Sequence, residues 1–273
     1  VTSNDSILLA DSKNILVQQI KEFYKLDCNL EKIKRISYRP FDDRFIYYDV
    51  KIIERAREKL MRHFISGENL GLVVSRQCAN DWRYVFISKF FGEFNLTGTA
   101  GRYGSGSYFP LYLYPENNAQ QTLDGNQERT PNLNQEIVNK IAQAIGLTFV
   151  PEPSLSLPSR GKESLSRSIG SEVDAAKEFA PIDLLDYIYA VLHNPTYREK
   201  YKEFLKIDFP RVPYPTDKKT FWQLVKLGGE LRQIHLLESE TVNNFITTFP
   251  IDGNNTVEKI RFELSSSHPE LVS

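Results

Sequence analysis

The run Ser75-Arg-Gln-Cys-Ala-Asn-Asp-Trp-Arg83 gathers side chains that make paired hydrogen bonds with one that can stack. An arginine fork matches the O6 and N7 edge of guanine, and a glutamine or asparagine amide matches the N6 and N7 edge of adenine. Arg76, Gln77 and Asn80 therefore have the chemistry of base reading. Trp82 offers an indole plane for a sugar or an unpaired base, and Arg83 adds a cation. A second set follows: Lys89, and then Arg102 and Tyr103 within the glycine-rich stretch Gly98 to Gly106, where freedom in the free chain can become order on a ligand. Upstream, Arg39, Arg44 and Arg57 are candidate phosphate anchors. Arg39 and Arg44 flank Asp42 and Asp43, so neutralising that turn is the alternative reading for both.

Residue types for other chemistries are present without the company they need. Gly101, Gly104 and Gly106 spell G-x-x-G-x-G, the reverse of the dinucleotide fingerprint, with no strand-to-helix junction expected around them. No G-x-x-x-x-G-K-[ST] occurs, which excludes a P-loop hydrolysis site within these residues. Asn194-Pro-Thr-Tyr197 approaches the string with which adenine amino-methyltransferases hold a flipped base, but Thr196 stands where the second proline belongs. No glycine-rich methyl-donor site precedes it, so the run reads as a helix break. Asp42 and Asp43 lack a third ligand or a lysine for metal or acid–base work. His63, His193 and His235 fall on expected helices with no nucleophile elbow, and read as structural. Cys28 and Cys78 form no CxxC pair; they read as small buried hydrophobes suited to a reducing cytosol.

Positioning such groups requires a core, and the composition supplies one. The 273 residues are 41% hydrophobic, 25% charged and 12% aromatic, which describes an ordinary soluble chain. A chain of this length buries about three quarters of its unfolded surface without a disulfide or metal staple. No apolar run reaches the roughly 18 residues of a membrane span and the start is no signal peptide, so a cytoplasmic location without membrane contact is expected. Position 1 is Val, the single methionine is Met61, and the chain reads as a piece of something longer. A net charge of −1 hides an uneven spread: 14 Lys or Arg face 8 Asp or Glu between Lys32 and Arg102, against 20 and 27 elsewhere. A locally positive segment interleaved with Tyr, Phe and Trp is what a phosphate backbone attracts; a solvated charged face is the plainer alternative.

The hydrophobic periods predict the elements. Helices are expected over Lys13 to Leu26, Glu54 to Phe64, Asn134 to Ile145, Ile182 to His193, Thr196 to Lys206 and Lys218 to Leu237. In the last of these, Gly228-Gly229 allows a close approach or a kink. Strands are expected over Ile33 to Tyr38, Phe45 to Tyr48, Leu70 to Ser75, Tyr84 to Lys89 and Tyr108 to Tyr114, with Pro40 placing a hairpin-like turn between the first two. The fold class is α+β. Residues 1–150 form a mixed, β-rich recognition half with an N-terminal helix, 151–180 a Pro/Ser-rich flexible loop, and 181–273 a mainly helical half. Two short C-terminal strands are expected near 244–249 and 257–264.

Three strings in order resemble one family: Tyr38-Arg-Pro-Phe-Asp-Asp-Arg-Phe-Ile-Tyr-Tyr-Asp49, Phe109-Pro-Leu-Tyr-Leu-Tyr-Pro115, and Asp186-Tyr-Ile-Tyr-Ala-Val-Leu-His-Asn-Pro-Thr-Tyr-Arg198 running on to Leu205-Lys-Ile-Asp-Phe-Pro-Arg-Val-Pro213. Gly229-Glu-Leu and Ile234-His-Leu-Leu237 follow them. Over roughly residues 33–240 the chain resembles the C-terminal specificity region of Type ISP restriction-modification enzymes. These prokaryotic defence proteins carry nuclease, translocating motor, adenine-specific DNA methyltransferase and target recognition domain on one polypeptide. The resemblance implies a target recognition domain with no catalysis of its own, whose partners are duplex DNA and the methyltransferase domain of the same polypeptide. S-adenosylmethionine and ATP would belong to the parent enzyme, with no cofactor in this chain. The helical half would support the recognition half and hold the methyltransferase. The rival readings are an inter-domain scaffold without base contacts, a divergent adenine methyltransferase fragment, and an independent enzyme, for which no converging ionisable set is found. The spatial spread of Arg39, Arg76, Arg83, Lys89 and Arg102 separates them, because one concave positive face favours recognition.

Overall fold

Ser12 starts the first long helix by accepting a hydrogen bond from the Ile15 amide at 3.3 Å, and Lys25, at φ +51°, ends it. The structure is a computed structural model that describes residues 4–25, 27–54, 56–79, 81–98, 105–116, 129–152, 177–246 and 252–253. After α1 (Asp5–Leu8) and β1 (Leu9–Ala10), this helix, α2 (Lys13–Tyr24), buries Leu16 and Ile20 against Ile33 and Tyr47. Those two residues belong to a hairpin of β2 (Ile33–Arg39) and β3 (Asp42–Tyr47), to which β1 adds in the order β1-β3-β2. Pro40 and Phe41 make the tip, where Pro cannot continue the ladder and Phe41 takes φ +63°.

After α3 (Glu58–Ile65), a second antiparallel sheet runs β5 (Val85–Ser88), β4 (Gly71–Ser75), β6 (Gly106–Pro110). Its central strand reads Gly-Leu-Val-Val-Ser because both faces are covered. Successive side chains point oppositely, so Val73 joins Ile36, Ile46, Phe91 and Tyr108 between the two sheets, while Val74 joins Val85, Leu184, Leu192 and Phe221 on the helical side. Both halves of the chain therefore share a core through β4.

The remaining elements are β7 (Tyr112–Leu113), β8 (Thr130–Pro131), α4 (Gln135–Ile145), the parallel pair β9 (Thr148–Phe149) and β10 (Glu178–Phe179), then α5 (Pro181–His193), α6 (Pro195–Lys200), α7 (Lys202–Ile207) and α8 (Lys218–His235). The helix expected over Thr196 to Lys206 is two, parted at Tyr201, and the strand expected over Tyr108 to Tyr114 parts at Leu111, whose amide turns to the Leu70 carbonyl at 2.7 Å. α5 and α8 meet where Gly228 lies against the Asp186 carbonyl; a Cβ there would sit 1.8 Å from that oxygen. One turn on, Arg232 grips Asp186 with two bonds of 2.6 and 3.0 Å, the pair being almost fully buried. Residues Val1–Ser239 form one unit and Glu240–Ser273 another. In the second, a 3-10 turn spans Glu240–Asn243; the strands expected near 244–249 and 257–264 fall chiefly outside the described residues, as do 153–176 of the expected loop. Among the described residues no helix is long and apolar enough to cross a membrane.

Candidate nucleic-acid interface

Strand β2, whose register shifts between Ser37 and Arg39, brings Arg35, Ser37 and Arg39 to one lining. They form one wall of a cleft of about 280 Å3, with Phe41 at the hairpin tip, Lys89 at the end of β5, and His235 to Leu237 at the end of α8. Arg39 donates through Nη1 to Glu93 at 2.9 Å and to the Tyr38 carbonyl at 2.6 Å. Arg35 lies 4.9 Å from the Phe90 ring centre and 3.6 Å from Asp43. Lys89 pairs with Glu238. Asp43 accepts from Ser37 Oγ at 2.8 Å. The His235 ring edges onto Phe41 at 6.0 Å and meets the Tyr189 hydroxyl at 2.5 Å. Burial pushes His235 below the usual imidazole range and takes its neighbour His193 down to about 4, so this wall is uncharged at neutral pH.

Arg44 sits apart from the cleft, its fork closed on Asp42 by bonds of 3.0 and 2.8 Å. Its chemistry is that of a neutralised turn charge, and the Asp42 bonds raise its affinity for the proton. Arg57, at φ +47° before α3, lies 5.7 Å from the Phe94 ring and joins no ion pair among the described residues.

The β4–β5 connection is elsewhere. Arg76 leaves the last residue of β4, whereas Lys89 follows the β5 residue paired with the first, Gly71. A rise of 3.3 Å per residue separates the two ends by about 13 Å. Arg76 bonds Asp208 at 3.1 Å, and Gln77 donates to the Ile207 carbonyl at 3.2 Å. The Phe209 amide, and after it Arg76, hold Asp208 below the ordinary carboxylate range. Arg83 pairs with Asp81 at 2.9 Å. Trp82 departs from the stacking role expected for it: only 6% exposed, it donates Nε1 to the Ser75 carbonyl at 3.1 Å and is part of the core. Asn80, Arg102 and Tyr103 lie outside the described residues. The cations thus fall into two patches, Arg39 with Lys89 in the cleft and Arg76 with Arg83 at the far end of the hairpin.

Sequence reasoning passed over Arg35, Phe41 and Glu238. The period-two string Arg35-x-Ser37-x-Arg39 was a readable signal for the first; the left-handed backbone of Phe41 and the arrival of Glu238 beside Lys89 had none. Asn194 is a helix cap, accepting from the Tyr197 amide at 3.1 Å with Pro195 at the first helical position. Among the described residues no three His, Cys, Asp or Glu converge as a metal site.

This is an α+β domain with cations on its β-rich part. It belongs to the Type ISP C-terminal specificity domain family, whose model matches residues 3–272. Among solved structures it is similar to a cryo-EM structure of a DrdV–DNA complex (TM-score 0.59, 18% identity, covering 86% of this chain and 22% of that one). It is also similar to the ATP-dependent Type ISP restriction-modification enzyme LlaBIII bound to DNA (TM-score 0.56, 20% identity, covering 86% of this chain and 15% of that one). At these identities the likeness is one of fold, and the chain spans only a minor part of either molecule. No curated protein matches it.

Proposed function

We propose that this chain recognises the DNA target for a restriction-modification methyltransferase and performs no bond-making itself. Membership of a specificity-domain family supports the reading, and both similar solved structures are DNA complexes. The observation from its own residues that carries it is the convergence of Arg35, Arg39 and Lys89 on one cleft beside the exposed Phe41. Those cations hold phosphates and fix register, while Arg76 and Gln77, one hairpin length away, address base edges. In this reading the methyl donor and nucleotide of the parent enzyme bind outside this chain. The methyltransferase domain is its covalent neighbour in this reading, and the cytoplasm, where the DNA is, its place of work.

Fluorescence anisotropy with a labelled duplex tests this. Two to three net phosphate contacts give a log affinity that falls against log salt with a slope of about −1.8 to −2.7. Affinity indifferent to salt, or no binding at roughly 50 mM salt, overturns the reading.

A further inference from the structure

The ion pairs around the cleft differ in how readily they can open. Glu93 is 7% exposed and also accepts from the Asn95 amide at 2.6 Å, so freeing Arg39 would strand a buried carboxylate. Arg44 and Asp42 are two residues apart and doubly bonded. Lys89 and Glu238 are unlike either: they stand 149 residues apart in sequence, with side chains 44% and 39% exposed. A pair so open to water contributes little and exchanges easily.

Its geometry is nevertheless held at a cost. Leu237, immediately before Glu238, takes φ +58°, a left-handed conformation disfavoured for a residue that carries a branched side chain. The turn is fastened by the Glu238 and Ser239 amides, which both donate to the Gln233 carbonyl at 2.8 and 3.2 Å. A strained backbone fixed in place to bring a carboxylate to Lys89 marks that carboxylate as more than a chance surface charge.

We propose that Glu238 stands on Lys89 where a DNA phosphate would stand, and so is a specificity-determining residue: it withholds one backbone contact from any duplex whose base contacts are too poor to displace it. The proposal rests on the DNA-recognition reading. In the wild type, a phosphate arriving at Lys89 sheds a condensed cation, but the displaced carboxylate takes one up and repels the phosphate. The exchange is nearly neutral in ions and weakly opposed in energy. With glutamine at 238 the cation is simply lost.

Anisotropy of Glu238→Gln with a random-sequence duplex should show about three- to fivefold tighter binding at low salt and a salt slope steeper by about 0.9. Lys89→Gln on its own should change binding to this duplex little, and added to Glu238→Gln it should abolish the gain. Glu238→Asp, which withdraws the charge by one methylene, gives a smaller change in the same direction and serves if the glutamine form does not fold. Wild-type binding without a gain in the 238 variants overturns the proposal and leaves the DNA reading standing. A gain that persists in the Lys89→Gln background also overturns it, as a general charge effect. Failure of every form to bind sinks the DNA reading and this proposal with it.

Discussion

Arg76 and Gln77 are both occupied in the free chain, one by Asp208 and the other by the Ile207 carbonyl. Both bonds are exposed and worth little in water, so each can be traded for a base edge, which offers about 1 to 3 kcal/mol of discrimination. Selection from a randomised duplex library should therefore return a relaxed or altered sequence preference for Arg76→Ala and Gln77→Ala. Arg57→Ala should weaken all sequences alike by severalfold. An unchanged preference in both loop variants removes them from the base-reading set. The donor chemistry of these residues was legible from their types alone. Their partners were not, because Asp208 lies 132 residues away in sequence and only folding brings it to Arg76. Trp82 shows the converse: the indole that can stack on a base equally fills a core, and type alone does not say which surface covers it.

At the scale of elements, the glycine pair in α8 shows how far a local pattern reaches. Two glycines inside an otherwise regular helical period pointed to a close approach or a kink, and Gly228 makes the close approach, against the Asp186 carbonyl. Alanine in place of an interior helical glycine normally gains about 1 kcal/mol. Here its Cβ would need the α5 backbone to retreat and would loosen the buried Asp186–Arg232 pair, whose breakage costs about 3 to 5 kcal/mol. Gly228→Ala should thus lower stability by a net 2 to 4 kcal/mol or so in urea unfolding. A variant as stable as the wild type would show that α5 and α8 can part without penalty. Pro40 likewise announced its hairpin, and α4 ends at Gly146, which takes φ +65°. The division of α6 from α7 and the two-residue parallel pairing of β9 with β10 carried no signal, since both are set by packing between elements distant in sequence.

Across the unit Val1–Ser239, the sheets and helices were expected as two halves, and the α+β class follows from the sequence pattern; the shared core does not, because it depends on β4 being covered on both faces. Where that core meets α5 and α8 it encloses His193 and His235, and this gives the folded unit a pH dependence with a definite sign. His193 donates Nδ1–H to the Tyr189 carbonyl at 2.9 Å, and burial, with Arg198 and His235 close by, holds its pKa near about 4. Burial moves His235 and His63 in the same direction. Above about pH 6.5 these rings are neutral in both states and contribute no slope. Between there and about pH 4 the unfolded chain takes up protons that the folded one refuses, so stability falls as pH falls. Carboxylates held low, such as Asp49 and Asp208, remain largely ionised in both states down to about pH 5 and add their own loss only below it. Urea unfolding at pH 7.5 and pH 5 should show the wild type losing about 1 to 2 kcal/mol through His193 alone, after allowance for water at its open edge. His193→Asn should lose correspondingly less over the same interval. Equal slopes in the two proteins would place the protonation that drives acid destabilisation at His235 or His63 instead.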